Sequence, residues 1–143
     1  MLENSLSLPR PVANQILAHA IKQPGEEICG LLARSNDDDE DFQYYPVANV
    51  ANDSARRFEM DSKQQIDAMR TMRDREQSLI AIVHSHPDAT AKPSSIDIEL
   101  NEYQDVYTII ISLNTKGVLD MRCFMPTGGE AMQEVELELM HET

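Results

Sequence analysis

Residues 79–87 of this 143-residue chain read Leu-Ile-Ala-Ile-Val-His-Ser-His-Pro. The first five are apolar and rich in β-branched side chains, which predicts a central strand covered on both faces. Successive side chains of a strand alternate between its faces, so His84 and His86 should point to the same side. They lie where the strand ends, at the edge where sites on such sheets open. Two imidazoles held in this way can supply half of a tetrahedral zinc shell.

A third ligand is needed, because a catalytic zinc ion takes three protein ligands and leaves one position for water. Asp97 is the candidate, since it is predicted in the first turn of the next helix and can face the histidines if the loop after Pro87 folds back. Ser94-x-x-Asp97 also has the form of a capping box, which by itself would account for both residues. Both interpretations of Asp97 stay open here, but capping does not explain the histidines.

Hydrolysis of a peptide would also need a base that takes a proton from the attacking water without itself binding the metal. Glu27 precedes the apolar run 28–33, where a lone carboxylate is poorly explained by packing. Its neighbour Glu26 would point the opposite way in an extended segment, so only one of the two can face the site.

The remaining patterns predict an α+β fold, with a mixed β-sheet flanked by about three helices in a single domain over residues 1–143. Helices are predicted from Pro9 to the Pro24-Gly25 pair, after Ser62 with Ser62-x-x-Gln65 as a capping box, and from Ser94 through Tyr103. Strands are predicted at 28–33, 42–50, 79–83, 106–113, 118–124 and 135–139, with an extended piece at 57–60 and turns at 36–41 and 114–117.

The charge balance argues against several classes of partner. Twelve Lys and Arg against 25 Asp and Glu give a formal charge of −13, which would repel nucleic acid and anionic lipid. No segment approaches the run of about 20 apolar residues that spans a bilayer, and residues 1–11 lack the pattern of a signal peptide. The two cysteines, Cys29 and Cys123, are predicted to be buried thiols, which suits a reducing compartment. We therefore expect a cytoplasmic protein.

The string His84-Ser85-His86-Pro87, followed by Ser94 and Asp97, resembles the His-x-His, seven-residue gap, Ser-x-x-Asp signature of bacterial JAMM (MPN+, Mov34-type) metallopeptidases. Residues 24–32, Pro-Gly-Glu-Glu-Ile-Cys-Gly-Leu-Leu, resemble the segment that carries the catalytic glutamate of that family. The likeness runs from the first helix to the last strand. It implies the MPN type of fold, which is similar to that of cytidine deaminases.

The resemblance also implies roles for these residues. His84, His86 and Asp97 would bind Zn2+, Glu27 would deprotonate the attacking water and later protonate the leaving amine, and Ser94 would hold the developing oxyanion. The implied reaction is cleavage of a peptide or isopeptide bond at the Gly-Gly carboxyl end of a ubiquitin-like sulfur-carrier protein, with release of cysteine or another adduct. A homodimer is left open.

Two other functions compete with this one. The first is a non-catalytic scaffold of the same fold whose metal site has decayed, but here all five motif positions are filled. The second is a zinc hydrolase of small molecules, such as a deaminase. Deaminase sites carry His-x-Glu followed by Pro-Cys-x-x-Cys, and neither string occurs in this chain.

Overall fold

The computed structural model describes residues 2–114, 120–129 and 131–140, which form one seven-stranded sheet with three helices. The elements in chain order are β1 Ser5–Leu8, α1 Arg10–Lys22, β2 Cys29–Ser35, β3 Phe42–Val47, α2 Ser62–Asp74, β4 Gln77–His86, α3 Ser95–Glu99, β5 Tyr107–Ser112, β6 Asp120–Pro126 and β7 Met132–Leu139. The strand order is β1-β7-β6-β5-β4-β2-β3, and the β1–β7 and β4–β5 pairs are parallel. The other neighbouring pairs are antiparallel. The predicted α+β fold with a mixed sheet and three helices is confirmed.

Strand β4 is covered on both faces, as its sequence predicted. Ala81 and Val83 belong to the apolar cluster that contains the buried face of α1. Ile82 belongs to a second cluster, which contains the buried side chains of α2. Because side chains alternate along a strand, His84 and His86 continue the Ile82 face. Both histidines therefore lie on the α2 side of the sheet, at the end of a rigid central strand.

Gly30 of β2 allows close packing against β3. A Cβ atom at Gly30 would lie 2.5 Å from the ring of Tyr44. Tyr44 is buried, and its hydroxyl group is 2.7 Å from the Nδ1 atom of His19 on α1. The absence of a side chain at Gly30 thus lets Tyr44 link the hairpin β2–β3 to α1, and this hairpin begins two residues after Glu27.

Two helix predictions were wrong in detail. The N-cap of α2 is Asp61, not Ser62, and the Asp61 carboxylate accepts a hydrogen bond from the backbone N–H of Gln64 over 3.0 Å. A carboxylate is a strong N-cap because it also complements the helix dipole. Helix α3 ends at Glu99, so Tyr103 lies outside it. The Tyr103 hydroxyl group instead accepts a hydrogen bond from the side chain of Gln65 on α2.

Strand β1 was not predicted. It pairs in parallel with β7, from Ser5 opposite Glu136 to Leu8 opposite Leu139. Leu6 and Leu8 are buried and the serines between and before them are less so. A four-residue strand whose partner lies about 130 residues away leaves little local signal, because its pairing depends on the far end of the chain.

The structure also confirms the predicted acidic hairpin loop and the two buried cysteines. The acidic stretch 36–41 connects the antiparallel strands β2 and β3, as a hairpin loop should. Cys29 and Cys123 are free and buried, as predicted. Residues 115–119 lie outside the described residues. They include most of the predicted turn at 114–117 and the first two residues of the predicted strand 118–124. Within the described ranges, every helix is too short or too polar to cross a membrane.

Candidate metal centre

Four buried side chains from three segments of the chain meet at the end of β4. They are Glu27, His84, His86 and Asp97, and one ligand atom from each lies within 4.8 Å of all the others. Glu27 comes from the segment before β2, the histidines from β4 and the aspartate from α3. The loop after β4 therefore folds back as the sequence required. The structure brings the predicted ligands and the predicted base together, and their roles remain predictions.

His86 and Asp97 form the shortest contact of the cluster. The Nε2 atom of His86 lies 3.0 Å from the Oδ2 atom of Asp97. On the other side of the ring, Nδ1 lies 2.7 Å from the carbonyl oxygen of Thr90. A carbonyl oxygen can only accept, so Nδ1 carries a hydrogen. Nε2 donates to Asp97 when the ring is protonated and offers its lone pair to a metal when the ring is neutral. A hydrogen bond of this kind, made by the ring nitrogen that does not bind the metal, commonly orients a metal-binding histidine.

His84 lies between Glu27 and Asp97. Its Nδ1 atom is 3.7 Å from Oε1 of Glu27, and its Nε2 atom is 3.8 Å from Oδ2 of Asp97. Within the described part of the chain, Glu27 Oε1 and His84 Nδ1 are buried without a hydrogen-bond partner. Buried polar atoms are nearly always partnered, so two such atoms side by side indicate a ligand. Two imidazoles and a carboxylate are a donor set suited to Zn2+, and the residues present fit this ion.

Burial and neighbouring charges shift the titration of two members. Burial raises the pKa of Glu27 to about 8, and His86 partly opposes the rise while Asp97 adds to it. Burial likewise lowers the pKa of His84 to about 4. His84 is thus neutral near pH 7, which is the form of imidazole that binds metals.

The other two members shift in opposite directions because they bind each other. Burial would lower the pKa of His86, but hydrogen bonds to Asp97 and to the Thr90 carbonyl outweigh burial and raise it. Burial would raise the pKa of Asp97, but the hydrogen bond from His86 and the nearby His84 ring lower it. Asp97 is therefore an ionised carboxylate, ready to balance part of the charge of a cation.

The two adjacent glutamates differ as the sequence predicted. Glu26 is exposed, whereas Glu27 is only 4 % exposed. Ser85, between the two histidines, points away from the cluster toward this segment. Its hydroxyl oxygen accepts a hydrogen bond from the backbone N–H of Ile28 over 2.8 Å, and its own N–H donates to the Ile28 carbonyl oxygen. Ser85 thus attaches the Glu27 segment to the strand that carries the histidines.

Ser94 begins α3 and is joined to the cluster through Asp97. The Ser94 hydroxyl oxygen accepts from the Asp97 N–H over 3.1 Å, and Asp97 Oδ2 accepts from the Ser94 N–H over 2.8 Å. The capping box predicted as one interpretation is therefore present. Its oxygen only accepts in this pair, so the pair does not use the hydroxyl hydrogen of Ser94.

One functional contact was missed from the sequence. The ring of Phe58 stacks on His84, with 4.7 Å between centroids and 29° between planes. Both residues line a cavity of about 580 Å3, together with Asp97, Ile96 and Leu100 among others. The sequence placed Phe58 in an extended piece but offered no signal for this stacking. The cavity reaches His84 and Asp97 from the side of α3.

The family of this chain follows from comparison with known proteins. The family model Prok-JAB, described as prokaryotic homologs of the JAB domain, matches residues 9–124. The chain therefore belongs to the prokaryotic JAB-domain family.

Two curated relatives cover most of the chain. The CysO-cysteine peptidase of Mycobacterium tuberculosis (strain ATCC 25618 / H37Rv) is 28% identical over 123 residues, which are 86% of this chain and 84% of the relative. The desampylase of Haloferax volcanii is 28% identical over 116 residues, which are 78% of this chain and 84% of the relative. Both are thus matched over most of their own length.

Solved structures agree with this assignment. The solution structure of protein DSY2949 from Desulfitobacterium hafniense has a TM-score of 0.82 and 29% identity, and covers 95% of this chain and 93% of its own. AF2198, a JAB1/MPN domain protein from Archaeoglobus fulgidus, has a TM-score of 0.59 and 20% identity. The match covers 97% of this chain and 100% of the AF2198 chain. The second likeness shows the fold alone, and it confirms the MPN type of fold.

Proposed function

We propose that this protein is a zinc-dependent peptidase that cleaves the bond after the Gly-Gly carboxyl end of a ubiquitin-like sulfur-carrier protein. The observation that carries the proposal is the buried cluster of Glu27, His84, His86 and Asp97, with ligand atoms within 4.8 Å of one another. A protein without a metal or a reaction has no evident reason to bury four titratable side chains together, because burying charge is unfavourable. The peptidase names of the relatives support the hydrolase class.

His84, His86 and Asp97 would hold the metal. Bound zinc would supply Lewis acidity, which polarises a substrate carbonyl and lowers the pKa of water. Glu27 is left as the member of the cluster that handles the proton. Its carboxylate would take a proton from the attacking water and give it to the leaving amine. Burial, which raises the pKa of Glu27, favours a carboxyl that holds the proton between these two steps.

Ser94 would stabilise the oxyanion that forms on the substrate carbonyl. Its oxygen already accepts from the Asp97 N–H, and this bond leaves the hydroxyl hydrogen available for the substrate. Donors aimed at developing negative charge are among the strongest contributors to catalysis. The cap therefore orients the hydroxyl group without using its hydrogen.

The proposed substrate class rests on the relatives and on the cavity. A Gly-Gly tail has no side chains, so it can enter a narrow cleft as extended backbone. The cavity beside His84 and Asp97 offers such an entrance, and its rim includes the exposed apolar side chains Ile96 and Leu100. One relative is named for a cysteine attached to CysO, and we propose a carrier–cysteine adduct as the substrate here. The cytoplasmic location, which two free cysteines suit, stays a prediction.

The test uses a β-grasp carrier protein that ends in Gly-Gly-Cys, with mass spectrometry to detect release of cysteine. We expect cleavage by zinc-loaded protein, loss of cleavage with a chelator and recovery with added zinc. Glu27→Gln should keep about one zinc ion per chain and lose at least about 100-fold in kcat. Glu26→Gln, at the exposed neighbour, is the matched control and should behave as wild type.

A second substrate in the same experiment separates cleavage of a cysteine adduct from cleavage of an isopeptide bond. It is the same carrier joined through Gly-Gly to a lysine side chain of a reporter protein. Preference for the cysteine adduct supports the proposal, whereas cleavage of the lysine-linked protein alone would replace it by an isopeptidase function. Cleavage of neither substrate by the zinc-loaded protein would contradict the proposed function.

A further inference from the structure

Asn49 lies between β3 and α2, outside the metal cluster, and its side chain binds five backbone groups. The Nδ2 atom donates to the carbonyl oxygens of Glu27 over 2.8 Å, Arg57 over 3.0 Å and Ser54 over 3.5 Å. The Oδ1 atom accepts from the backbone N–H groups of Ala51 and Glu59, each over 3.0 Å. One amide side chain therefore joins the loop 49–60 to the segment that carries Glu27.

This loop holds both backbone polar groups of Glu27. Its carbonyl oxygen is bound by Asn49, and its N–H donates to the carbonyl oxygen of Ser54 over 2.7 Å. Oε1 of Glu27 has no hydrogen-bond partner in the described part of the chain. The position of that oxygen is therefore set by the backbone of Glu27 and by packing.

Asn49 also holds the residue that stacks on His84. The Arg57 carbonyl and the Glu59 N–H, which flank Phe58 in the chain, are both bound by the Asn49 side chain. The ring of Phe58 lies 4.7 Å from the ring of His84, centroid to centroid. Asn49 thus connects the backbone of Glu27 with the backbone on either side of Phe58, the residue that stacks on His84.

We propose that Asn49 is a positioning residue that sets the Glu27 carboxylate relative to His84, and this rests on the proposed function. Loss of the Nδ2 hydrogens frees the Glu27 carbonyl oxygen, and the side chain that this backbone places can then shift relative to His84. A misplacement of about 1 Å can lower a catalysed rate about 100-fold. Asn49 would act on kcat through Glu27 without touching the substrate or the ligands.

The first test compares Asn49→Asp and Asn49→Ala with wild type, all loaded with zinc. Asn49→Asp keeps an acceptor for Ala51 and Glu59 and loses the donor to Glu27. We expect kcat for the Gly-Gly-Cys carrier to fall about 10- to 100-fold, with KM within about twofold. Zinc affinity, measured by competition with a chromophoric chelator, should stay within about threefold because no ligand is changed. Asn36→Asp, in the hairpin loop at the far end of β2, is the matched control.

The second test asks whether Asn49 acts through Glu27. If it does, Asn49→Asp added to Glu27→Gln should lower the residual kcat less than twofold, because the group that Asn49 positions is already lost. If the two substitutions instead lowered kcat by factors that multiply, Asn49 would have a general structural role and the proposal would be wrong. The proposal would also be wrong if kcat were unchanged in both Asn49→Asp and Asn49→Ala, or if loss of zinc accounted for their lower kcat.

A third measurement does not depend on turnover. Hydrogen exchange at the Glu27 and Glu59 amides should accelerate in zinc-loaded Asn49→Ala and not in Asn36→Asp, and equal protection would overturn the proposal. An inactive wild-type protein would contradict the proposed function itself. An active wild type with fully active Asn49 variants would contradict only the assignment of Asn49.

Discussion

The Oδ2 atom of Asp97 lies 3.0 Å from Nε2 of His86 and accepts a hydrogen bond from the backbone N–H of Ser94 over 2.8 Å. One carboxylate oxygen thus contributes to the cap of α3 and faces the histidines of β4. Helix capping and metal binding, which compete as explanations of Asp97 in the sequence, are compatible in the structure. The cap orients the carboxylate toward the strand.

Replacing Asp97 by Asn separates these two roles. Asn keeps an oxygen that can accept from the Ser94 N–H but lacks the negative charge that a cation needs. Loss of a group that only hydrogen-bonds to a metal ligand lowers metal affinity about 10- to 100-fold. Loss of a ligand itself should therefore lower zinc affinity at least about 100-fold. Affinity is measured by chelator competition. Asp61→Asn makes the same change at the N-cap of α2 and should leave zinc binding intact. Equal affinity in Asp97→Asn and wild type would leave Asp97 as a cap only.

Ser94→Ala tests the proposed oxyanion donor. We expect kcat to fall about 100-fold or more, as for loss of a single donor in comparable sites. Loss of the cap should also lower the free energy of unfolding by about 1 kcal/mol. Asp61→Ala removes the N-cap of α2 and should show a similar loss of stability with kcat unchanged. If the two variants matched in both kcat and stability, Ser94 would have no role beyond its cap.

Glu27→Gln should stabilise the metal-free protein, and more so at high pH. Burial raises the pKa of Glu27 to about 8 from its usual 4.5. Between these values the folded state keeps a proton that the unfolded state releases, so the wild-type free energy of unfolding falls as pH rises through this window. Gln does not ionise and avoids this loss. We therefore expect the Tm advantage of Glu27→Gln over wild type, measured with a chelator, to be larger at about pH 8.5 than at about pH 5. An advantage that did not change with pH would contradict this account, and Glu26→Gln is the exposed control.

Gly30→Ala should destabilise the fold without removing a metal ligand. Its Cβ atom would lie 2.5 Å from the buried ring of Tyr44, which is linked to His19 and cannot easily move away. Overpacking of this kind costs about 1–3 kcal/mol, to be measured by urea unfolding. Gly25→Ala is the control, because nothing lies within 4 Å of the place that its added methyl group would take, and the residue is exposed. A stable Gly30→Ala protein would mean that Tyr44 has room to shift.

Local patterns predicted much of the fold and the members of the site. The apolar run at 79–83 with the alternation of His84 and His86 indicated a buried strand with both imidazoles on one side, and β4 has this form. The exposure of Glu26 beside the buried Glu27 follows from the same alternation. These features depend on neighbours within a few residues, so spacing along the chain was enough to infer them.

Long-range contacts became visible only in the folded chain. Sequence spacing could not place Oε1 of Glu27 3.7 Å from Nδ1 of His84, nor Phe58 on the ring of His84. It also assigned nothing to Asn49, whose amide reaches back 22 residues to the Glu27 carbonyl. The order of residues along the chain is sufficient to say which side chains share a face of a strand or a turn of a helix. Which faces meet depends on how the whole sheet assembles, because such contacts form between segments with no periodic relation to each other.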